Sequence, residues 1–311
     1  MTKILLDTDI GTDVDDAVCL AYLLSHPDCD LLGITTVTGE AVKRASLASV
    51  VCRAAGKELP IYPGAEHPMR GEQRQAIAQQ AEVLARWSHE TNFPMNQAVE
   101  FLADTIRSKP NEVTLLTLGP LTNMGLLFST HTDVADLLAG LVIMGGNFDE
   151  TGPEANRIEW NVAADPPAST IIYETPVRLH RSLGLNVTQK VMMSAEQVRE
   201  QFTAPILRPV LDMAEIWFTG FYPSITFHDP LAGATIFDND LCSYQHGRVG
   251  LVDSDTQTKT TWQPGGTESP HQVAVTVDVD RYFQHFFDVV GSRDRIVSRD
   301  FLVMPGIKRK Q

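Results

Sequence analysis

Between Lys3 and Lys43 the sequence contains neither lysine nor arginine, although the ten residues from Asp7 to Asp16 carry five aspartates, Asp7, Asp9, Asp13, Asp15 and Asp16. No neighbouring cation in the sequence is at hand to neutralise them. Basic residues are scarce overall, with 25 Lys and Arg against 39 Asp and Glu, a formal net charge of −14. That balance argues against a nucleic-acid partner, because a phosphate backbone calls for a basic face. Cysteine is scarce too. Cys19, Cys29, Cys52 and Cys242 stand in no C-x-x-C spacing and read as buried free thiols in a reducing compartment. No apolar run approaches the ~18 residues that a membrane-spanning helix needs. Only Met1-Thr2-Lys3 precedes the first apolar run, too little for a charged region, an apolar stretch and a cleavage site, so a cytoplasmic location is expected. Internal repeats, low-complexity tracts and linkers are missing, and the 311 residues, 43% hydrophobic, read as one domain, 1–311, with a sizeable core. Lys308-Arg309-Lys310 reads as a solvated tail.

What is present begins with the aspartate turn. Ile4-Leu5-Leu6 predicts a buried strand, Gly11 breaks it, and Asp15 to Leu24 predicts a helix apolar nearly all round. Alternation turns Asp7 and Asp9 to one side of the strand, whereas Asp15 and Asp16 open the helix, where its dipole favours negative charge. Asp13 suits an ordinary cap. Capping does not account for the cluster, because carboxylates at contact distance raise one another's pKa unless something cationic sits among them. A hard divalent cation meets that need, and calcium, with its 6 to 8 oxygen ligands, fits better than zinc.

The rest of the chain alternates strand and helix. Asp30 to Thr38 predicts a strand, Val42 to Ala55 a helix stopped by Gly56, Asn96 to Arg107 a helix and Val113 to Leu118 a strand. Gly119-Pro120 ends that strand and feeds a helix capped by Thr122 or Asn123. Leu141 to Met144 is a strand that opens onto a loop from Asn147 to Arg157, and Val177 to Leu185 is a strand ending at Asn186. Ser194 to Gln201, with Ser194 as cap and Gln197 three residues on, and Pro205 to Phe218 predict helices. Strand-like 247–253 and 273–277 flank a loop or hairpin at 256–270, and Tyr282 to Val289 closes as a helix. The fold class that follows is α/β, a single large domain with a mainly parallel open sheet, Rossmann-like, flanked by helices. Ligands bind at the strand carboxyl ends of such sheets, where the aspartate turn falls.

Asp7-Thr8-Asp9, Gly11 and Asp15-Asp16-Ala17 resemble the amino-terminal signature of the nucleoside hydrolases, the inosine-uridine-preferring enzymes that cut the N-ribosidic bond. Thr12-Asp13-Val14 makes the turn two residues longer than is usual there. Gly119-Pro-Leu-Thr-Asn123 matches a second family motif letter for letter, and His228-Asp229 followed by Ala232 matches a third. Glu159-Trp160-Asn161 and Asp165-Pro166 resemble the family's Glu-Phe-Asn and Asp-Pro pair, and Gly64 to Met69 its Gly-x-x-x-Pro-Leu segment. The family's His-Gly pair has no counterpart between Arg70 and Met95, where His89 reads as a surface residue. Asn186 stands where relatives tend to carry aspartate.

The resemblance implies Ca2+ held by Asp9, Asp16, Asp229 and the main-chain oxygen of Leu118. It implies Asp9 as general base towards a metal-activated water, and His228 as the residue assisting base departure. Asp15 and Asn161 would orient ribose hydroxyls, while Glu159 and Asn156, with Asn147 as fallback, would fix the 5' end. The substrate would be a nucleoside, and the assembly a homodimer or homotetramer. Other readings of the same turn are a phosphatase of haloacid-dehalogenase type, a nucleoside phosphorylase and a non-catalytic calcium-dependent sugar-binding protein. The first leaves His228-Asp229 unexplained, and the second needs a phosphate cradle that an acidic turn is not.

Overall fold

A computed structural model describes residues 1–149, 155, 157–220, 222–253 and 258–291. The basic tail at 308–310 and Asn156 lie outside the described residues. Eleven strands are described: β1 (Thr2–Thr8), β2 (Cys29–Thr36), β3 (Ile61–Pro63), β4 (Val113–Thr117), β5 (Gly140–Met144), β6 (His180–Leu183), β7 (Met192–Ser194), β8 (Ser224–Thr226), β9 (Cys242–Asp253), β10 (Thr258–Pro264) and β11 (His271–Val277). Nine of them form one sheet in the order β10-β9-β11-β6-β5-β4-β1-β2-β3, and β7 and β8 pair separately as an antiparallel ribbon. From β3 through β11 the pairings are parallel, and β9 alone runs against them, antiparallel to both β11 and β10. The expected open, mainly parallel α/β sheet is what the chain forms, and the stretch 256–270 read as loop or hairpin contains the strand β10.

Alternation along β1 explains the two core layers. Ile4 and Leu6 join the cluster packed under helices Asp15–Ser25, Ala41–Ala54, Leu207–Thr219 and Val279–Val290, whereas Leu5 joins the cluster under Ala98–Ser108, Thr122–Thr130 and Pro166–Glu174. Every residue of the first helix from Asp15 to Leu24 is buried, as an all-round apolar pattern requires. Cys19, Cys29, Cys52 and Cys242 are free and buried. No described helix is long and apolar enough to cross a membrane.

Several local expectations change. The strand read over Val177–Leu185 is paired only from His180 to Leu183, and Asn186 sits in a short helix, Leu185–Thr188. Thr122 and Asn123 do not cap their helix, whose first residues reach sideways: Thr122 donates to Asp165 and Asn123 to Asp7, both at 2.7 Å. Asp13 is exposed and caps nothing, since Val14 occupies the cap position of the first helix without a side-chain bond. The box at Ser194 forms as expected, with Gln197 N donating to Ser194 Oγ at 3.2 Å and Ser194 N to Gln197 Oε1 at 3.0 Å.

The sheet reverses its winding between β1 and β4, because β2 and β3 lie on one side of β1 and β4 to β6 on the other. Such a switch opens a crevice at the carboxyl ends of the two central strands. Asp9 follows β1 into that crevice, and Leu118 follows β4. The amide of Leu118 donates to Asp7 O at 2.9 Å. A Cβ at Gly119 would stand 2.8 Å from Asp9 Oδ1, so only glycine lets β4 end this close to the aspartate.

Candidate active site

Three buried carboxylates converge at the crevice. One oxygen each of Asp15, Asp16 and Asp229 lies within 4.8 Å of the others, making a group that could hold a metal ion. Asp15 and Asp229 are 214 residues apart in sequence, and Asp229 N, in the first turn of helix His228–Ala234, donates to Asp15 Oδ2 at 3.1 Å. Thr8 Oγ1 donates to Asp16 Oδ1 and accepts from Ile10 N at 3.1 Å, which ties the end of β1 to the first helix. Burial, followed by mutual repulsion, pushes the carboxyls of Asp15, Asp16 and Asp229 well above the usual range. A site of three such acids resists full ionisation until a cation enters.

Asp9 is not one of the three. Burial raises its pKa, but the nearby Arg44 guanidinium and a hydrogen bond from Gln75 oppose that rise. Gln75 Nε2 donates to Asp9 Oδ2 at 2.7 Å. Arg44, on helix Ala41–Ala54, is fully buried. Its Nη1 donates to the main-chain oxygen of Asp9, to Ile10 O at 3.2 Å and to Thr12 Oγ1 at 3.1 Å, and its Nε donates to Gly39 O at 2.8 Å. The cation missing from the local sequence thus comes from the next helix, and it grips the backbone of the lengthened turn. Asp7 belongs to a separate network, accepting from Thr35 Oγ1 at 2.5 Å and Asn123 Nδ2 at 2.7 Å, and burial raises its pKa to about 7.

On the β4–β5 side, Glu159 caps helix Trp160–Ala164. Its carboxylate accepts from Asn161 N at 2.7 Å, Val162 N at 2.9 Å and Gly146 N at 3.0 Å, while burial lifts its pKa to about 7. Asn161 Nδ2 donates to Leu118 O at 2.6 Å and to Met144 O at 3.1 Å, joining the carboxyl ends of β4 and β5. A small cavity of about 20 Å³ lies beside Glu159, lined also by Asn147, Arg157, Lys259 and Thr260. Asn147 Nδ2 donates to Arg157 O at 3.1 Å.

His228 opens helix His228–Ala234, its Nδ1 2.7 Å from Thr188 Oγ1. Desolvation and the Arg157 cation push its pKa down to about 4. The ring is therefore neutral at neutral pH. The tautomer in which the Thr188 hydroxyl donates to Nδ1 carries the ring proton on Nε2.

Residues 4–284 match the family model described as inosine-uridine preferring nucleoside hydrolase. The chain belongs to this family. As a nucleoside hydrolase it is an enzyme of the N-glycosidase class. It is 29% identical to a pyrimidine-specific ribonucleoside hydrolase, RihA, of Shigella boydii serotype 4, over 93% of this chain and 97% of that one. It is 26% identical to a probable uridine nucleosidase 2 of Oryza sativa subsp. japonica, over 90% of each chain. A solved purine-preferring ribonucleoside hydrolase from Gardnerella vaginalis shares the fold, with TM-score 0.79 at 21% identity over 93% of this chain and 98% of that one.

In this nucleoside hydrolase the motifs read from sequence meet at one crevice. Asp16 and Asp229 come together with Asp15, Asp9 stands beside them, and Asn161 reaches the Leu118 carbonyl. Two residues in contact with this crevice were not expected. Arg44 had a signal, since it precedes Leu47, Ala48 and Val51 at helical spacing and so shares the buried face. Gln75 had none, because it lies in a polar stretch without periodicity. His89, on the same stretch, stays part-exposed with Nδ1 against Trp87 O at 2.8 Å.

Proposed function

We propose that this nucleoside hydrolase cleaves the N-ribosidic bond of ribonucleosides with Ca2+, releasing ribose and free base. The observation that carries the metal is the trio Asp15, Asp16 and Asp229, buried within 4.8 Å of one another. The hydrogen bonds described for them come from Thr8 and the main chain of Asp229, neither of them cationic. An all-oxygen, strongly anionic donor set suits a hard cation of flexible coordination. Asp9, Asp16, Asp229 and the Leu118 oxygen would hold it, with Asp15 assigned to the ribose hydroxyls. When bound, the ion supplies Lewis acidity that makes a water nucleophilic at neutral pH.

The remaining roles fall to the chain. Asp9 takes the proton of the attacking water, and the support of Arg44 and Gln75 favours the ionised form that a base requires. Asn161 orients a ribose hydroxyl, using the acceptor of its carboxamide while its amide nitrogen is anchored to Leu118 and Met144. Glu159, with Asn147 or Asn156, addresses the 5' end; Glu159 and Asn147 line one small cavity. The C–N bond breaks through an oxocarbenium-like state, and the neutral His228 ring donates a hydrogen bond from Nε2–H to the negative charge that develops on the departing base.

The names of the relatives put uridine first among substrates to try, and a homodimer or homotetramer is the assembly to look for by light scattering. Product analysis tests the reading. Free ribose and uracil released from uridine in phosphate-free buffer support it. Turnover only with phosphate, or binding without product, would overturn it in favour of a phosphorylase or of a sugar-binding protein.

A further inference from the structure

We propose that Gln75 is a positioning residue of the hydrolytic centre, fixing the outer carboxylate oxygen of Asp9 and fastening Trp160 beside it; the inference rests on Asp9 acting as base. The two contacts of its carboxamide point in opposite senses. Nε2 donates to Asp9 Oδ2 at 2.7 Å, and Oε1 accepts from the Trp160 indole at 2.7 Å. One side chain therefore links the residue after β1 to the residue that opens helix Trp160–Ala164, between the cap Glu159 and Asn161. Trp160 is 44% exposed, so burial alone does not hold its ring, and the Gln75 bond is its described polar anchor.

The backbone that carries Gln75 is fixed on both sides, so its side chain is delivered to Asp9 and does not drift over it. Gln75 N donates to Gln73 Oε1 at 2.7 Å, and the same oxygen accepts from Thr38 Oγ1 at 3.1 Å. Ala76 lies so close to Gly39 that a Cβ there would stand 2.5 Å from Ala76 Cα. Further along, Ala78 N donates to Glu40 Oε2 at 2.9 Å, Arg44 Nη2 to Ile77 O at 3.3 Å, and Gln80 N to Gly11 O at 2.9 Å. Gln75 and Trp160 also line one cavity with Thr38, His67 and Thr122. An amide donor on one oxygen of a carboxylate fixes the rotation of the group and so sets the direction of its other oxygen.

The test compares Gln75→Ala and Gln75→Glu with wild type on uridine, and reads indole emission of the metal-free proteins, each also in a Trp160→Phe background. Gln75→Glu keeps the size and the main-chain anchors but cannot donate to Asp9 when ionised. We expect kcat to fall about tenfold or more in both variants, the loss of one charge-assisted hydrogen bond, with KM changed less than about threefold because the contact acts on the base and not on substrate binding. Emission should shift in Gln75→Ala and stay put when Trp160 is already Phe. Unchanged kcat in either folded variant, or an emission change that survives in the Trp160→Phe background, would overturn the proposal. An emission shift in a wild-type background that hydrolyses no nucleoside would support the Gln75 contact and count against the functional reading.

Discussion

Arg44 donates from its guanidinium to the main-chain oxygen of Asp9, 35 residues earlier in the chain. The bond ties the end of β1 to helix Ala41–Ala54. The same nitrogen reaches Ile10 O at 3.2 Å and Thr12 Oγ1 at 3.1 Å, so three residues of the turn are held by one side chain. Replacing Arg44 by alanine strands the carbonyls of Asp9, Ile10 and Gly39 in a buried place. Each unsatisfied buried group costs on the order of 1–3 kcal/mol. Arg44→Ala should therefore lose about 3 kcal/mol or more in urea unfolding, and Arg44→Lys should recover only part, because an ammonium lacks the planar fork. A loss below about 1 kcal/mol, the scale of a surface contact, would contradict this account.

Glu159 gives a pH dependence with a definite sign. Its pKa rises from the ordinary 4.5 to about 7 on folding, so between these values the native state binds more protons than the unfolded chain. Stability from this group is greatest below pH 4.5 and declines as pH rises to about 7. Thermal unfolding of the metal-stripped protein should show that decline, and Glu159→Gln should flatten it. Glu159→Ala should instead lower stability by about 1–2 kcal/mol across the range, since three N–H groups lose their cap. An unchanged slope in the Gln variant would place the titration elsewhere.

His228 should matter in proportion to how poorly the base leaves. His228→Ala should slow uridine hydrolysis by about 10²–10³-fold, the usual worth of one hydrogen-bond donor aimed at developing charge, and leave p-nitrophenyl riboside nearly untouched, because that leaving group departs as a stable anion without such help. Equal losses on both substrates would remove the assignment. Wild-type kcat/KM should also lack an inflection near pH 6.5 from this ring, whose pKa is held at about 4. Thr188→Val, which removes the hydroxyl facing Nδ1, should reproduce part of the His228→Ala defect on uridine alone.

Much of this was legible in the sequence because it followed local rules. The apolar run before Asp7, the all-round apolar helix after Asp15 and the Ser194 box each specify their own structure, and alternating strands and helices leave a parallel sheet as the way to bury them. The acidic trio was legible in two pieces, since Asp15 and Asp16 share a turn and Asp229 opens a helix of its own. Other features depended on three-dimensional neighbours. Thr122 and Asn123 look like caps until Asp165 and Asp7 claim them, and Glu159 looks like a free ligand until three amides converge on it. The ribbon of β7 and β8 is three residues a side, too short for a period to show. Gln75 could not be found, because nothing in its own stretch marks one glutamine among several.

The central claim is that ribosyl transfer to water depends on an ion held by Asp9, Asp16, Asp229 and the Leu118 oxygen. It is tested most directly by ribose release from uridine, inosine, cytidine and adenosine in phosphate-free buffer, before EGTA, after EGTA and after calcium is restored, with calorimetric calcium titration of wild type and Asp16→Ala alongside. The account predicts release that EGTA abolishes and calcium restores, and an Asp16→Ala variant that loses calcium binding and turnover together. Full release in EGTA, or an Asp16→Ala variant that binds calcium as wild type does, would contradict it.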